Sequence, residues 1–472
     1  MIDKFLLPDR YEGLENCIDI NDIPKIIIPV QLGIDKVEEL YEEMFSSGRG
    51  SFLILKGSSG CGKTTFLKTL NIFLENIEIE TITNNMDLVS SINNLSHSSK
   101  DMRIVIIEGR ESIIDYSNIE INTAIHTINR FIRSADGSRT LIVWPCNNND
   151  IVEILVDTSK TIGGTSLLGL EDTYFEFSGP EKDEYVKIAK QTIELLNKGK
   201  TLLDFGIDDK EAERLKEEVS TIGEYLKKVN KIIRENKKIV KQLTKKENCK
   251  MWVVVLAANE PSKDVEALTK GEFLDADIQR LMVSTNANIV EDLKKYPQHI
   301  GLLANYLDCK IIYIPIVTAL AIVRTYADEN LVEIMKKRSM SVNKDKDIKI
   351  RILNTELVRM IKLDSKLKGI GGKTGSNSIK AFEKLTDIAS SNDRILNNTF
   401  GKALMDIGII DEFKLEENFG NGLTRRTDLV CKIGAETLRL EFMWRKKTSK
   451  AEISNYTLTK IYNYGKALGF LE

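Results

Sequence analysis

Residues 57–65, GSSGCGKTT, constrain the fold of this chain more than any other stretch. They fit the pattern G-x-x-x-x-G-K-[ST], with Gly57, Gly62, Lys63 and Thr64 at its fixed positions. Glycines let such a loop wrap a phosphate chain with backbone N–H groups pointing inward, while the lysine binds the β- and γ-phosphates and the threonine hydroxyl binds Mg²⁺. The pattern therefore predicts ATP and Mg²⁺ as ligands. The predicted nucleotide-binding residues are Gly57, Ser58, Ser59, Gly60, Cys61, Gly62, Lys63, Thr64 and Thr65.

The loop lies between a strand-like and a helix-like segment, which is the context that the pattern requires. Residues 51–55 form a short apolar run, and residues 65–74 have helical periodicity. Further strand-like segments follow, separated by helical ones, at residues 77–82, 103–109, 140–148 and 173–180. Strands that alternate with helices predict a parallel sheet with crossover helices, and ligands bind at the carboxyl ends of such strands. The expected fold is an α/β P-loop NTPase sheet.

Polar residues follow two of these strands and are candidates for catalysis. Glu108 follows the apolar run RIVII, where an acid can hold the water shell of Mg²⁺, and Glu111 is the nearest carboxylate that could orient water. Asn147 or Asn148 ends the next strand, where an amide could reach the γ-phosphate. We predict Glu108, Glu111 and Asn147 as catalytic residues, and Thr64 with Glu108 as Mg²⁺ residues. A strand-ending acid and a turn-forming asparagine without catalytic roles are the alternatives.

The composition is that of a soluble globular protein. The chain has 472 residues, 42% of them hydrophobic and 29% charged, with a net charge of −3, so a nucleic-acid surface would have to be local. Its six cysteines contain no C-x-x-C, which argues against a zinc site and favours the reducing cytoplasm. The first residues lack the apolar segment of a secretory signal, and we expect no membrane association. The apolar run 311–323 is too short for a membrane span and predicts a buried helix.

The chain after residue 180 is mainly helical in pattern. Residues 227–250 contain ten lysines or arginines against two glutamates; a basic helix can neutralise nucleic-acid phosphates, and a solvated face is the simpler alternative. Residues 338–347 read as a linker, and residues 369–377, GIGGKTGSN, lack the phosphate-loop spacing and predict a surface loop. The predicted domains are the P-loop NTPase core at 1–180, the helical lid and basic arm at 181–250, the mainly helical middle domain at 251–338 and a small α/β domain at 339–472.

Residues 424–445, TRRTDLVCKIGAETLRLEFMWR, predict a β-hairpin. Two alternating strands flank Gly434 and Ala435, which have the composition of a two-residue turn. If the residues next to this turn pair, Asp428 lies directly opposite Glu441 on one face. Opposed carboxylates repel unless a cation lies between them, and such a pair can hold the metal of a phosphodiester-cleaving enzyme. We predict Asp428 and Glu441 as catalytic and metal-binding residues; a solvated face balanced by nearby cations is the alternative.

The amino-terminal pattern resembles the core of AAA+ and STAND ATPases over residues 25–250. The shared features are the leading helix, the phosphate-binding loop, the acid-ending and asparagine-ending strands and the helical lid after FEFSGP. Gly109 follows Glu108 where these families have a second acid, and no arginine occurs between Arg139 and Arg214 to act on a neighbouring subunit. The resemblance implies an ATPase, and the missing arginine favours slow hydrolysis as a switch over a ring motor.

The carboxyl-terminal pattern resembles the PD-(D/E)XK nuclease core over residues 395–472. Helix-like segments flank the hairpin, Asp428 matches the first acid of the family and Glu441 matches the second. Met443 stands where the family has lysine; Arg445 could substitute for it, or the fold could be retained only to bind nucleic acid. The resemblance implies a nuclease-like domain and a nucleic-acid partner, with DNA favoured.

Together these patterns predict a slowly hydrolysing P-loop ATPase whose nucleotide state controls a nucleic-acid-binding, nuclease-like domain, as in bacterial genome-defence or DNA-processing proteins. A non-catalytic ATP-dependent adaptor, with a protein partner or a homo-oligomeric assembly, is the alternative. A small-molecule kinase fits less well, because nucleotide kinases are usually far shorter and the sequence has no arginine-rich lid near the site.

Overall fold

The computed structural model describes most of the chain, which divides into two compact units. The N-terminal unit comprises residues 1–197 and 210–231, and the C-terminal unit comprises residues 198–209 and 232–472. The described residues are 5–111, 118–168, 173–244, 249–293, 297–364, 374–419 and 426–471.

A parallel sheet organises the N-terminal unit. Among the described residues its strand order is β2-β3-β4-β1-β5, and the parallel pairing of these strands confirms the predicted α/β class. The strands are β1 (Ser51–Lys56), β2 (Ile77–Ile82), β3 (Met102–Ile107), β4 (Thr140–Cys146) and β5 (Phe175–Glu176). The helices are α1 (Tyr11–Glu15), α2 (Gln31–Ser47), α3 (Lys63–Lys68), α4 (Leu88–Asn93), α5 (Asn118–Phe131), α6 (Asn149–Gly163), α7 (Thr165–Leu168), α8 (Tyr185–Leu196), α9 (Asp209–Glu217) and α10 (Ile222–Thr244), whose residues the two units share.

The central strands of this sheet are buried on both faces. Every residue of β3 and of β4 is buried. Apolar residues of α5 and α6 pack on one face of the sheet, and apolar residues of α2 and α3 pack on the other. Two-sided burial explains why these strands are continuous apolar runs rather than alternating ones. The strands predicted over residues 77–82, 103–109 and 140–148 are confirmed, while the segment 173–180 contains only the two-residue β5.

A mixed sheet organises the C-terminal unit, with the order β10-β11-β12-β6-β9-β8-β7 among the described residues. The strands are β6 (Cys249–Ala257), β7 (Thr269–Lys270), β8 (Asp275–Ala276), β9 (Lys310–Tyr313), β10 (Glu412–Asn418), β11 (Arg426–Ile433) and β12 (Glu436–Arg445). The helices are α11 (Ser262–Leu268), α12 (Ile278–Val283), α13 (Asn288–Leu293), α14 (Pro297–Tyr306), α15 (Ile316–Tyr326), α16 (Glu329–Lys337), α17 (Ile348–Leu353), α18 (Glu356–Ile361), α19 (Ser376–Asn392), α20 (Arg394–Asp406) and α21 (Lys450–Leu468).

Strand β12 joins segments that the sequence assigned to separate domains. It pairs in parallel with β6 along nearly its whole length, and β6 pairs in parallel with β9. Residues 251–338 and 339–472 therefore contribute to one sheet, and residues 338–347 connect α16 and α17 without regular structure. Parallel pairing between segments so distant in sequence leaves no local signal, which is why composition suggested a boundary there. Of the predicted loop 369–377, residues 369–373 lie outside the described part of the chain.

The apolar run 311–323 is not the single helix that we predicted. Its first residues belong to β9, and helix α15 begins at Ile316, directly after Pro315. A short apolar run has no period that distinguishes a buried strand from a buried helix. In the described part of the chain, no helix combines the length and apolar character that a membrane crossing needs.

Helix α21 covers one face of the hairpin formed by β11 and β12. Ser449 and Glu452 form a capping box that starts the helix, and Gly469 ends it in a left-handed conformation, with φ of 68°. The apolar side of α21 packs with Met443 in one core, while Leu440 and its neighbours pack in another core on the opposite face. The face of the hairpin that carries Glu441 is therefore not a solvated face.

Candidate functional site

The phosphate-binding loop joins the end of β1 to the start of α3. Gly60 and Gly62 have φ of 86° and 99°, a backbone conformation that favours glycine because it has no Cβ. A Cβ added to Gly57 would lie 2.5 Å from the carbonyl oxygen of Phe177. The three glycines of the loop are thus required by its geometry, and α3 begins at Lys63 as the pattern predicts.

Lys63 is buried against its own loop and against the next strand. The residue is only 6% exposed. Its Nζ lies 2.5 Å from the carbonyl oxygen of Gly57 and 3.2 Å from that of Ser58. Nζ also donates to Oδ1 of Asn147 at 2.9 Å. These oxygens compensate a buried ammonium group, which would otherwise be costly.

Asn147 connects Lys63 to Glu111. Its Nδ2 donates to Oε2 of Glu111 at 3.3 Å, and its backbone N–H donates to the carbonyl oxygen of Glu111 at 3.2 Å. Asn148, the other candidate, accepts a hydrogen bond from the backbone N–H of Ile151 and caps α6. The structure thus brings together three predicted residues, Lys63, Asn147 and Glu111.

Glu108 lies at the carboxyl end of β3 and pairs with a lysine of α3. Nζ of Lys68 lies 3.0 Å from Oε1 of Glu108 and 5.3 Å from the centre of the Tyr11 ring. Sequence reasoning missed Lys68, because a lysine on the helix after the loop reads as an ordinary helix former. It also missed the buried Arg110, whose guanidinium donates to the carbonyl oxygens of Thr83 and Met86 and whose carbonyl accepts from Trp144.

Lys63, Glu108, Glu111 and Asn147 line one cavity of about 480 Å³, which we call the phosphate-loop cavity. Its polar wall includes both oxygen groups predicted for Mg²⁺, which is the type of ligand that this ion prefers. Its apolar wall is contributed by the segment before α2, by α8 and by α10, and sequence reasoning did not find the first of these. The residues of the cavity discussed here are Ile26, Ile28, Val30, Lys63, Thr64, Glu108, Glu111, Asn147, Ile188 and Leu226.

The hairpin of the C-terminal unit has the predicted register. Ile433 pairs with Glu436, and the ladder continues to the pair of Leu429 with Leu440. Beyond that pair the carboxylate of Asp428 accepts the backbone N–H of Phe442 at 2.7 Å. The side chain of Asp428 thus takes the place of a ladder acceptor beside Glu441.

Glu441 is 1% exposed and is engaged by two residues of α21. Tyr464 donates its hydroxyl to Oε1 of Glu441 at 2.8 Å, and Lys460 pairs with Oε2 in a close contact. Because these residues are four apart on a helix, they lie on the same face of α21. The sequence analysis missed both residues. The pattern that could have indicated them is a lysine and a tyrosine four residues apart in the helix that follows Glu441.

The two carboxyl groups lie in a low-dielectric environment. Burial raises the pKa of Asp428 to about 7, and the charge of Glu441 adds to this rise. Burial also raises the pKa of Glu441, against the opposing effect of Lys460. Burial lowers the pKa of Lys460, but the charges of Glu441 and Asp428 outweigh it and the net shift is upward. The ammonium group of Lys460 pairs with Glu441 and also acts electrostatically on Asp428, so it offsets the negative charge of these acids.

This arrangement does not fit a metal ion shared by Asp428 and Glu441. Both oxygens of Glu441 have protein partners, and no group of three or more acidic, histidine or cysteine side chains suited to a metal occurs among the described residues. Met443 is buried in the core under α21, and Arg445 is exposed and donates to the carbonyl of Trp444. Among the residues predicted or found here, it is Lys460 that supplies the positive charge next to Glu441.

A cavity of about 840 Å³ lies beside Glu441, and we call it the terminal groove. Most residues of α21 that line it recur at spacings of three and four, so they form one broad side of the helix. Four cationic side chains and two carboxylates line the groove. They are Arg426, Arg445, Lys460 and Lys466, and Glu441 and Glu452.

The N-terminal fold and the phosphate-binding loop define a P-loop NTPase-like architecture. The sequence matches no family model and no curated protein. The chain has a low structural similarity to solved structures of the ORC2 protein of Aeropyrum pernix. The ADP form is 11% identical over 83% of this chain and 99% of that one, with a TM-score of 0.31. The ADPNP-ADP complexes are 12% identical over 96% and 98%, with a TM-score of 0.32. Similarities of this size do not establish a shared function.

Proposed function

We propose that the protein binds ATP and Mg²⁺ in the phosphate-loop cavity, hydrolyses ATP slowly, and uses its nucleotide state to control nucleic-acid binding by the C-terminal unit. The observation that supports this best is the contact between Lys63 and Asn147, in a cavity that also contains Thr64, Glu108 and Glu111. A role in bacterial genome defence or DNA processing would suit such a protein.

Lys63 and Asn147 give the cavity a way to sense phosphate. Neutral oxygens of Gly57 and Asn147 accept hydrogen bonds from the ammonium group of Lys63. Phosphate oxygens are charged acceptors and form stronger hydrogen bonds with an ammonium group. Nucleotide binding would therefore break the hydrogen bond from Lys63 to Asn147 and alter the hydrogen bond from Asn147 to Glu111. Glu111 is the carboxylate that we propose to orient the attacking water.

The ion pair between Lys68 and Glu108, the acid at the end of β3, explains why ATP hydrolysis should be slow. Bound Mg²⁺ would neutralise phosphate charge and polarise the phosphoryl oxygens. Thr64 would supply its hydroxyl to the ion and Glu108 would hold the ion's water shell. Because Lys68 pairs with Glu108, this carboxylate must be shared between a lysine and the water shell.

In the C-terminal unit, nucleic-acid binding is better supported than cleavage. The cations of the terminal groove exceed its carboxylates, which suits a polyanion. The pairing of Lys460 with Glu441 leaves no ready metal site, so we propose no cleavage step.

A single incubation tests both halves of the proposal. Purified protein is mixed with Mg²⁺, ATP labelled at the γ-phosphate and end-labelled DNA, and phosphate release, DNA retention and DNA length are read together. We expect slow phosphate release, retention that differs between ATP and ADP, and intact DNA. Lys63→Ala should abolish the nucleotide effects, while the exposed Lys100→Ala serves as a matched control. Normal ATP binding by Lys63→Ala would overturn the nucleotide half.

A non-catalytic adaptor is the second candidate. The pairing of Glu108 with Lys68 favours it, because a glutamate held by a lysine could leave ATP bound without hydrolysis. The same incubation separates the two functions: an adaptor retains ATP and shows nucleotide-dependent complex formation, but it releases no phosphate above the rate of Lys63→Ala.

A further inference from the structure

The terminal groove combines positive charge with accessible aromatic rings. Tyr462 lines the groove, is partly exposed, and carries the ammonium group of Lys466 at 4.9 Å from its ring centre. Tyr456 also lines the groove, with Nζ of Lys460 at 5.1 Å from its ring centre. Cations beside ring faces along a groove are the combination that binds a phosphate backbone and its bases together.

We propose that the terminal groove binds single-stranded nucleic acid, with a base stacked on Tyr462 and the backbone phosphates held by Arg445 and Lys466. The proposal deepens the proposed function and rests on it. In a duplex the base faces are stacked on one another and only edges are accessible, so a ring such as Tyr462 has nothing to stack on. In a single strand each base offers a π-face, and the contact tolerates any sequence.

Fluorescence anisotropy with the full-length protein in EDTA tests this directly. The probes are a labelled oligothymidylate, a mixed-sequence single strand and a blunt duplex of the same length. We expect tighter binding of both single strands than of the duplex. Tyr462→Ala should weaken single-strand binding about tenfold, within the range for loss of one stacked base, while Tyr462→Phe should retain it. Arg445→Ala should weaken binding of all probes and reduce the salt dependence of single-strand binding by about 0.7 on a log–log plot.

Tyr174→Ala is the matched control, because Tyr174 is also an exposed ring with a lysine 5.3 Å from its centre, but it lies in the N-terminal unit. Thermal unfolding of each variant checks that the fold is retained. Equal or tighter duplex binding, together with unchanged binding by Tyr462→Ala, would overturn the single-strand proposal and leave nucleic-acid binding in place. Failure of wild-type protein to bind any probe, both in EDTA and in Mg²⁺ with ATP or with ADP, would overturn the nucleic-acid half of the proposed function as well.

Discussion

Replacing Asp428 by asparagine tests the electrostatics of the terminal site without metal. The pKa of Asp428 is raised by burial from 3.8 to about 7. The native state therefore holds a proton that the unfolded chain has already lost, and stability falls as the pH rises from about 4 to about 7 and is level above that. Each unit of pKa difference corresponds to about 1.4 kcal/mol, so the carboxyl group destabilises the native state by up to about 4 kcal/mol at pH 8 and by about 2 kcal/mol at pH 5.

Asparagine removes this pH-dependent cost but keeps an oxygen that can accept the N–H of Phe442. We expect Asp428→Asn to be more stable than wild type, with a gain about 2 kcal/mol larger at pH 8 than at pH 5. Denaturant unfolding in EDTA, followed by tryptophan fluorescence, measures this. A Trp144→Phe background leaves Trp252 and Trp444 as reporters of the C-terminal unit.

Asp347→Asn is the control, because Asp347 is an exposed aspartate of the same unit. It should change stability little at either pH. A gain for Asp428→Asn that is the same at both pH values, or a loss at both, would refute the assignment of a buried, protonated carboxyl group at this position.

Three further substitutions test the sites. Lys63→Ala should abolish ATP binding in a filter or calorimetric assay, and wild-type affinity would contradict the loop assignment. Glu108→Gln should reduce phosphate release while leaving ATP binding largely intact, because the water shell of the metal is affected before the phosphate contacts; unchanged turnover would shift that role to Glu111. Lys460→Met should destabilise the C-terminal unit by about 3–5 kcal/mol in denaturant unfolding, because it leaves the carboxylate of Glu441 buried without its cation. Adding Glu441→Gln should recover much of that loss, and no recovery would mean that Lys460 acts through packing alone.

The local patterns of the sequence determined the N-terminal sheet and the phosphate-binding loop. The fixed spacing from Gly57 to Thr64 and the long apolar runs of β3 and β4 are local signals, and each reflects a local cause: backbone freedom in the loop and burial of both strand faces. The hairpin register was equally local, because a two-residue turn at Gly434 leaves one way to pair its flanking strands.

Only the tertiary structure decided what surrounds Glu441. Its pairing with Lys460 and Tyr464 depends on α21 folding back over β12, and its burial depends on β6, nearly two hundred residues earlier, completing the sheet. Alternation along β12 indicated which residues share a face with Glu441, but it carried no information on whether water or a helix covers that face. Contacts between distant segments are selected by the total burial of apolar surface, a property of the whole unit that no single stretch of sequence contains.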